Sequence, residues 1–420
     1  MSLTIKDGNN TSQTLASQIV GGEHYPEHIT NINKNELGFD AWGKNKVTKD
    51  HSLLHGMFTF GVPVDKWREV FNGTQQTFTN ATSVDGALSL KSGATSADKT
   101  ILDTYRNPRY QPNRGHIYSN SVILPTKAAA GKRKFGLFTE EAGTFFSLES
   151  GTLYAVVRTT TTVGGTVDDK QPITIPAGVD LEKGNIYDIQ FQWRGVGNYG
   201  FFINQELVYK FDYLGTLEKM SLWNPALPLA FECENDGADV ELICGCVDVS
   251  SEGGDVNGKT YGSIQTETES GQVDITGFNA PVIAVRSKLT IGGKRNTRDT
   301  LSLLASAYSD QKSLMRVWAT RDFTAITEGT QTWKDYGDGH LEYIVLDPTT
   351  GTPMTFDTAK ANPAVFGSRV GQDESYSTSA LFQGRTEIYQ TPGDLFVFTV
   401  HRENAGAAKV GVTYEFAEEI

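Results

Sequence analysis

The chain has 420 residues, 38% hydrophobic and 21% charged, a composition that fits neither a disordered nor a membrane-spanning chain. Its 50 Asp and Glu outweigh 37 Lys and Arg for a formal net charge of −13, which argues against nucleic acid as a partner, since phosphate binding needs clustered cations. With 43 Gly, 10% aromatics and recurrent Ser and Thr, it favours short strands and tight turns over helix bundles.

Residues 1–50 are polar and poorly periodic. Leu3-Thr4-Ile5 and Gln18-Ile19-Val20 are short apolar patches set off by Asp7-Gly8-Asn9-Asn10 and Gly21-Gly22. They read as an extended anchoring or assembly segment that docks on the chain's own body or on a neighbour. No stretch at the start resembles a signal peptide and no apolar run reaches the ~18 residues of a membrane helix, so synthesis in a cytoplasm without membrane insertion is expected.

Residues 51–250 carry the clearest strand signals. A short helix is predicted over Val64–Phe71, then strands over 115–124, 135–138, 144–148 and 152–158. In Tyr187–Arg194, Tyr187, Ile189, Phe191 and Trp193 share one face, the period of two expected of a half-buried strand. Tyr199–Ile203 and Leu207–Phe211 across Asn204-Gln205-Glu206 predict a hairpin, and 230–234 and 240–249 add strands. Turn residues every 8–12 positions suggest a sandwich.

Residues 251–277 read as a Gly/Ser/Thr-rich linker, and 278–420 as a second, smaller β unit. Within it Gly292-Gly293-Lys294 predicts a hairpin turn. Thr297–Trp318 fits either a helix or a hairpin, with the hairpin preferred. Strands are expected over 341–346, 387–390, 395–402 and 410–416. The fold class is thus all-β: a lectin-like or jelly-roll sandwich followed by a second β domain.

Few residues suggest chemistry. A glycosidase on such a sandwich needs paired carboxylates in a cleft; the nearest match, Glu234-Asn235-Asp236-Gly237-Ala238-Asp239, is centred on a turn signal. His24 and His28 have the spacing of a metal clip, but Pro26 between them rules out a helix interior, leaving them weak candidates for a metal held between chains. Cys233, Cys244 and Cys246 match neither a zinc site nor a disulfide framework and read as buried thiols. Phosphate loops and nucleophile elbows are missing, so no catalytic residue or cofactor is assigned and the chain is expected not to be an enzyme. Tyr105, Tyr110, Tyr199, Trp223 and Trp333, near turns, are candidate sugar-contact aromatics, weighed against core or interface roles.

Several stretches resemble a widespread group of virion structural proteins from tailed bacteriophages. They are Ile5-Lys6-Asp7-Gly8 with Gly22-Glu23-His24-Tyr25-Pro26-Glu27-His28, then Pro108–Gly115, Gly136–Glu140, Gln190–Tyr199, His401-Arg402-Glu403-Asn404 and Glu418-Glu419-Ile420. The resemblance implies a virion component made in the host bacterial cytoplasm and attached to the tail or baseplate as a fibre or tail-associated protein. Its implied partners are other virion proteins, further copies of itself (a trimer favoured) and a host surface glycan. A capsid decoration protein or head fibre is the near alternative. A carbohydrate-binding adhesin module is the alternative of another class.

Overall fold

The computed structural model describes residues 3–6, 12–15, 17–20, 23–26 and most of 50–419. Outside the described residues are 1–2, 7–11, 16, 21–22, 27–49, 74–80, 113, 161–165, 218–219, 253–258, 267–272, 276–278, 338, 347–351, 363–365, 371–373, 378–387, 404–407 and 420. The chain is nearly all β, with antiparallel sheets in a jelly-roll-like arrangement and no α-helical element longer than a single residue among the described residues. Near the start, Leu3–Lys6 pairs with Ser12–Leu15 and Ser17–Val20 with Glu23–Pro26.

The first sandwich packs two sheets face to face. One runs in the order Glu206–Phe211, Tyr199–Ile203, Asn185–Phe191, His116–Ile123, Glu241–Glu252, Ala87–Lys91, Ala81–Val84, with Asp50–Met57 also on Glu241–Glu252. The other runs Thr166–Pro172, Thr152–Thr160, Gly143–Glu149, Gly131–Phe138, Leu229–Asn235, Lys99–Thr104, Trp67–Asn72. Alternate residues of both, among them Tyr187, Ile189, Phe191, Phe135, Phe146 and Phe231, form one buried core. The hairpin turn is two residues long: Asn204 and Gln205 both have positive φ, +50° and +70°, the primed geometry that matches strand twist.

The predicted helix over Val64–Phe71 is instead one turn followed by the strand Trp67–Asn72. The Pro63 carbonyl accepts from Lys66 N and Trp67 N, and the chain then extends along Lys99–Thr104. Trp67 is drawn into the core between Phe58 and Phe231, ring centroids 5.3 and 5.9 Å away, and this burial overrides local helix preference. Cys233 and Cys244 are buried, but Cys246 is exposed, against expectation. A register shift between Asn120 and Val122 places Gly245 and Cys246 in a bulge that turns the thiol outward.

The second sandwich has one sheet ordered Lys259–Gln265, Ala408–Glu419, Thr300–Ser309, Glu374–Ser377 and another ordered Lys334–Tyr336, Leu341–Val345, Ala280–Ser287, Leu395–Arg402, Ser313–Thr320, Phe366–Val370. The stretch read as a linker is therefore partly strand: Lys259–Gln265 and Val273–Ile275 both pair with Ala408–Glu419. Thr300–Ser309 and Ser313–Thr320 are strands as preferred, yet they do not pair as a hairpin. They belong to opposite sheets, joined by an arch whose Ser309 and Ser313 hydroxyls bond each other at 2.9 Å.

Candidate functional site

A cleft of about 600 Å³ lies between the two sandwiches. The first contributes Asn107, Arg109 and Tyr110, just beyond the strand Lys99–Thr104, and Trp223 and Asn224. The second contributes the Thr290–Arg295 hairpin and residues 296–299. That hairpin turns at Gly292-Gly293 as expected; φ of +57° and +77° suits glycine at both positions. Asn296 fixes its base, donating to the Lys288 carbonyl at 2.8 Å and accepting from Arg298 N at 3.0 Å.

Polar contacts tie the two walls together. Asn224 donates to Thr297 Oγ1 at 2.8 Å, and Asn107 Nδ2 to the Thr297 carbonyl at 3.4 Å. Arg295 reaches across to Asp103 at 2.9 Å, while Arg106 pairs with Asp299 at 3.4 Å and lies over the Tyr389 ring. These contacts join the two walls of the cleft.

The aromatic lining is held from behind. Tyr110 stacks on His116 at 4.8 Å, meets Trp193 edge-on at 5.6 Å and accepts at its hydroxyl from Arg194 N. His116 is buried and its Nε2 accepts from Gln111 N at 3.1 Å, so the imidazole is neutral; burial pushes its pKa down to about 4. Trp223 lies under the Lys294 ammonium, 4.5 Å from the ring centroid. Its Nε1–H and the Asn107 Oδ1 are buried, with no hydrogen-bond partner among the described residues.

Of the five candidate aromatics, then, the structure brings Tyr110 and Trp223 together and separates the rest. Tyr105 lies under the Arg321 guanidinium, 3.4 Å from its ring centroid, and is an inter-sandwich contact. Tyr199 is fully buried, stacked on Phe191 with its hydroxyl on Ser221, because it begins a core strand. Trp333 belongs to the second sandwich, beneath Arg286 and donating to Glu328 at 2.6 Å. His24 lies in Glu23–Pro26, where its side chain is outside the described residues, as is all of His28. Sequence reasoning passed over Asn107 and Asn224, which nothing local marks, and read Lys294 only as part of a hairpin turn.

A second, smaller groove of about 270 Å³ lies on the outer face of the seven-stranded sheet and shares Arg295 with the cleft. Asp103 and Glu232 line it, each only 3% exposed, with Glu140 and Glu141. Asp103 accepts from Arg68 through two nitrogens, at 2.9 and 2.6 Å, and Glu232 pairs with Lys134 at 2.6 Å. The Glu234–Asp239 stretch is the predicted turn: Gly237 has φ +114° and Asp236 is exposed.

No protein-family model matches the chain, and no curated protein sequence matches it. Solved structures similar to it include an endo-1,3-β-glucanase from Streptomyces sioyaensis (10% identity, TM-score 0.37, 49% of this chain and 97% of that one). An endo-β-1,3-glucanase from Pyrococcus furiosus matches at 12% identity and TM-score 0.36, over 50% and 97%. An endo-β-1,4-glucuronan lyase from Trichoderma reesei matches at 13% and 0.31, over 47% and 95%. These likenesses concern the fold alone. They nonetheless correct the expectation, drawn from missing catalytic motifs, that the chain is not an enzyme: carbohydrate-cleaving proteins are among those with a similar β-sandwich.

Proposed function

We propose that this chain is a glycan-binding structural component of a bacteriophage virion, attached to the tail or baseplate, and that the cleft between its sandwiches holds the saccharide. One observation carries the glycan reading: Tyr110 and Trp223, both partly exposed, line one cleft with the polar side chains of Asn224 and Thr297. A pyranose offers an apolar C–H face for aromatic rings and hydroxyls that donate and accept, so it answers both kinds of group. Placement on a virion draws on the sequence resemblance, with capsid decoration or a head fibre as the alternative position.

Titration of oligosaccharides into the full chain by calorimetry tests the cleft. Trp223→Ala should weaken binding by at least about tenfold, or ~1.4 kcal/mol, measured at a temperature where both proteins are folded. Binding that survives Trp223→Ala unchanged, or no binding at millimolar saccharide, removes the cleft reading. New reducing ends in the same mixtures would assign cleavage to the chain. Immunogold labelling of intact particles tests the placement: gold on the tail supports it, gold on the head moves it to the capsid, and bare particles overturn the virion assignment.

A further inference from the structure

We infer that the saccharide held in this cleft is anionic, bearing carboxylate or phosphate groups; the inference rests on the glycan reading and narrows its substrate class. The chain as a whole is strongly acidic, at −13. Among the described residues the cleft reverses that sign: Arg109, Lys294, Arg295 and Arg298 line it, with Asp299 as the carboxylate. The groove on the other side of Arg295 has the opposite balance, with four carboxylates, Asp103, Glu140, Glu141 and Glu232, against two guanidinium groups. The cleft lining thus carries more cations than carboxylates, and the neighbouring groove the reverse. In a partly enclosed site the potential of such charges is focused by the low-dielectric walls.

Lys294 gives the charge a position. Its side chain is exposed, on the two-glycine hairpin, with the ammonium 4.5 Å from the centroid of Trp223. An acidic group entering the cleft beside Trp223 would thus meet a cation already in place. Arg295 contributes less, since Asp103 engages it at 2.9 Å.

The test is calorimetry on the full chain with three probes: a galacturonate hexamer, a glycerol phosphate hexamer and neutral maltohexaose. At least one anionic oligomer should bind about tenfold or more tightly than maltohexaose, and its affinity should fall as salt rises from about 50 to 500 mM. The better of the two anionic probes identifies the substituent. Lys294→Gln should weaken the anionic probe several-fold and leave maltohexaose nearly unchanged. Equal, salt-insensitive binding of all three would overturn the anionic inference while keeping the glycan reading. Tight anionic binding that Trp223→Ala leaves intact would place the anion elsewhere and overturn it too. Failure of all three probes would end both.

Discussion

The guanidinium of Arg321, on the second sandwich, lies 3.4 Å from the ring centroid of Tyr105 on the first. The same side chain pairs with Asp394 at 3.0 Å and donates to the Asp65 carbonyl at 3.3 Å. Tyr105 therefore helps fix how the sandwiches meet and, with them, the width of the cleft. A double-mutant cycle of Tyr105→Ala and Arg321→Ala should show a coupling of about 1 kcal/mol, typical of a partly exposed cation–π pair. Thermal unfolding measures it; strictly additive losses would mean the ring and the guanidinium do not act together.

The pH dependence of stability should carry the mark of His116. Its folded pKa, about 4, lies below the ordinary value near 6.5 because the imidazole is buried and its Nε2 already accepts a hydrogen bond. Above pH 6.5 the ring is neutral in both states and nothing is lost. As pH falls from 6.5 to 4 the unfolded chain takes up a proton that the folded chain refuses, so stability declines, by roughly 3 kcal/mol in all. His116→Gln should flatten that stretch of the curve relative to wild type in chemical denaturation. Identical slopes would show that His116 titrates normally. Because Tyr110 stacks on His116, loss of glycan binding should accompany the decline.

The Asn204-Gln205 turn offers a gain instead of a loss. Gln205 holds φ at +70°, a conformation that costs an L-residue about 1 kcal/mol and glycine little. Asn204 has a reason to be there: its Oδ1 accepts from Ile186 N at 2.9 Å and its Nδ2 donates to Asn185. Gln205→Gly should raise stability by about 0.5–1 kcal/mol, read as a higher denaturant midpoint at constant slope. An unchanged or lower midpoint would mean the turn is not in the primed geometry.

What the sequence made legible follows from how local each signal is. Tyr187, Ile189 and Phe191 announce their strand because a half-buried sheet imposes a period of two on adjacent residues. The two strands flanking Ser309–Ser313 were equally local, but membership of opposite sheets was not, since a three-residue connection serves a hairpin or an arch. Trp67 was misread because its partners Phe58 and Phe231 are supplied by the fold. The cleft was half legible. Tyr110 and Trp223 stood out as aromatics near turns, as did Tyr199, which the same signal placed at a surface although it starts a core strand. Asn107 and Thr297 are 190 positions apart, and only the packing of two sandwiches makes them neighbours.

Trp193 marks where the period of two stops carrying information. The strand ends at Phe191, and Arg194 and Gly195, with φ of +38° and +82°, turn the chain away. Trp193 is left half-buried at the rim, donating to the Leu222 carbonyl at 3.1 Å with its edge toward Tyr110. A carboxylate there can reach water, so Trp193→Asp should cost roughly 1–3 kcal/mol, from lost packing and one hydrogen bond. Tyr187 is fully buried, against Phe135 and Phe146 at 4.9 and 5.2 Å. Tyr187→Asp would bury an unpaired charge and should leave no folded protein. Urea denaturation separates the two. Equal damage would mean that Trp193 belongs to the core, and that Tyr110 is braced by a core residue instead of one at the rim.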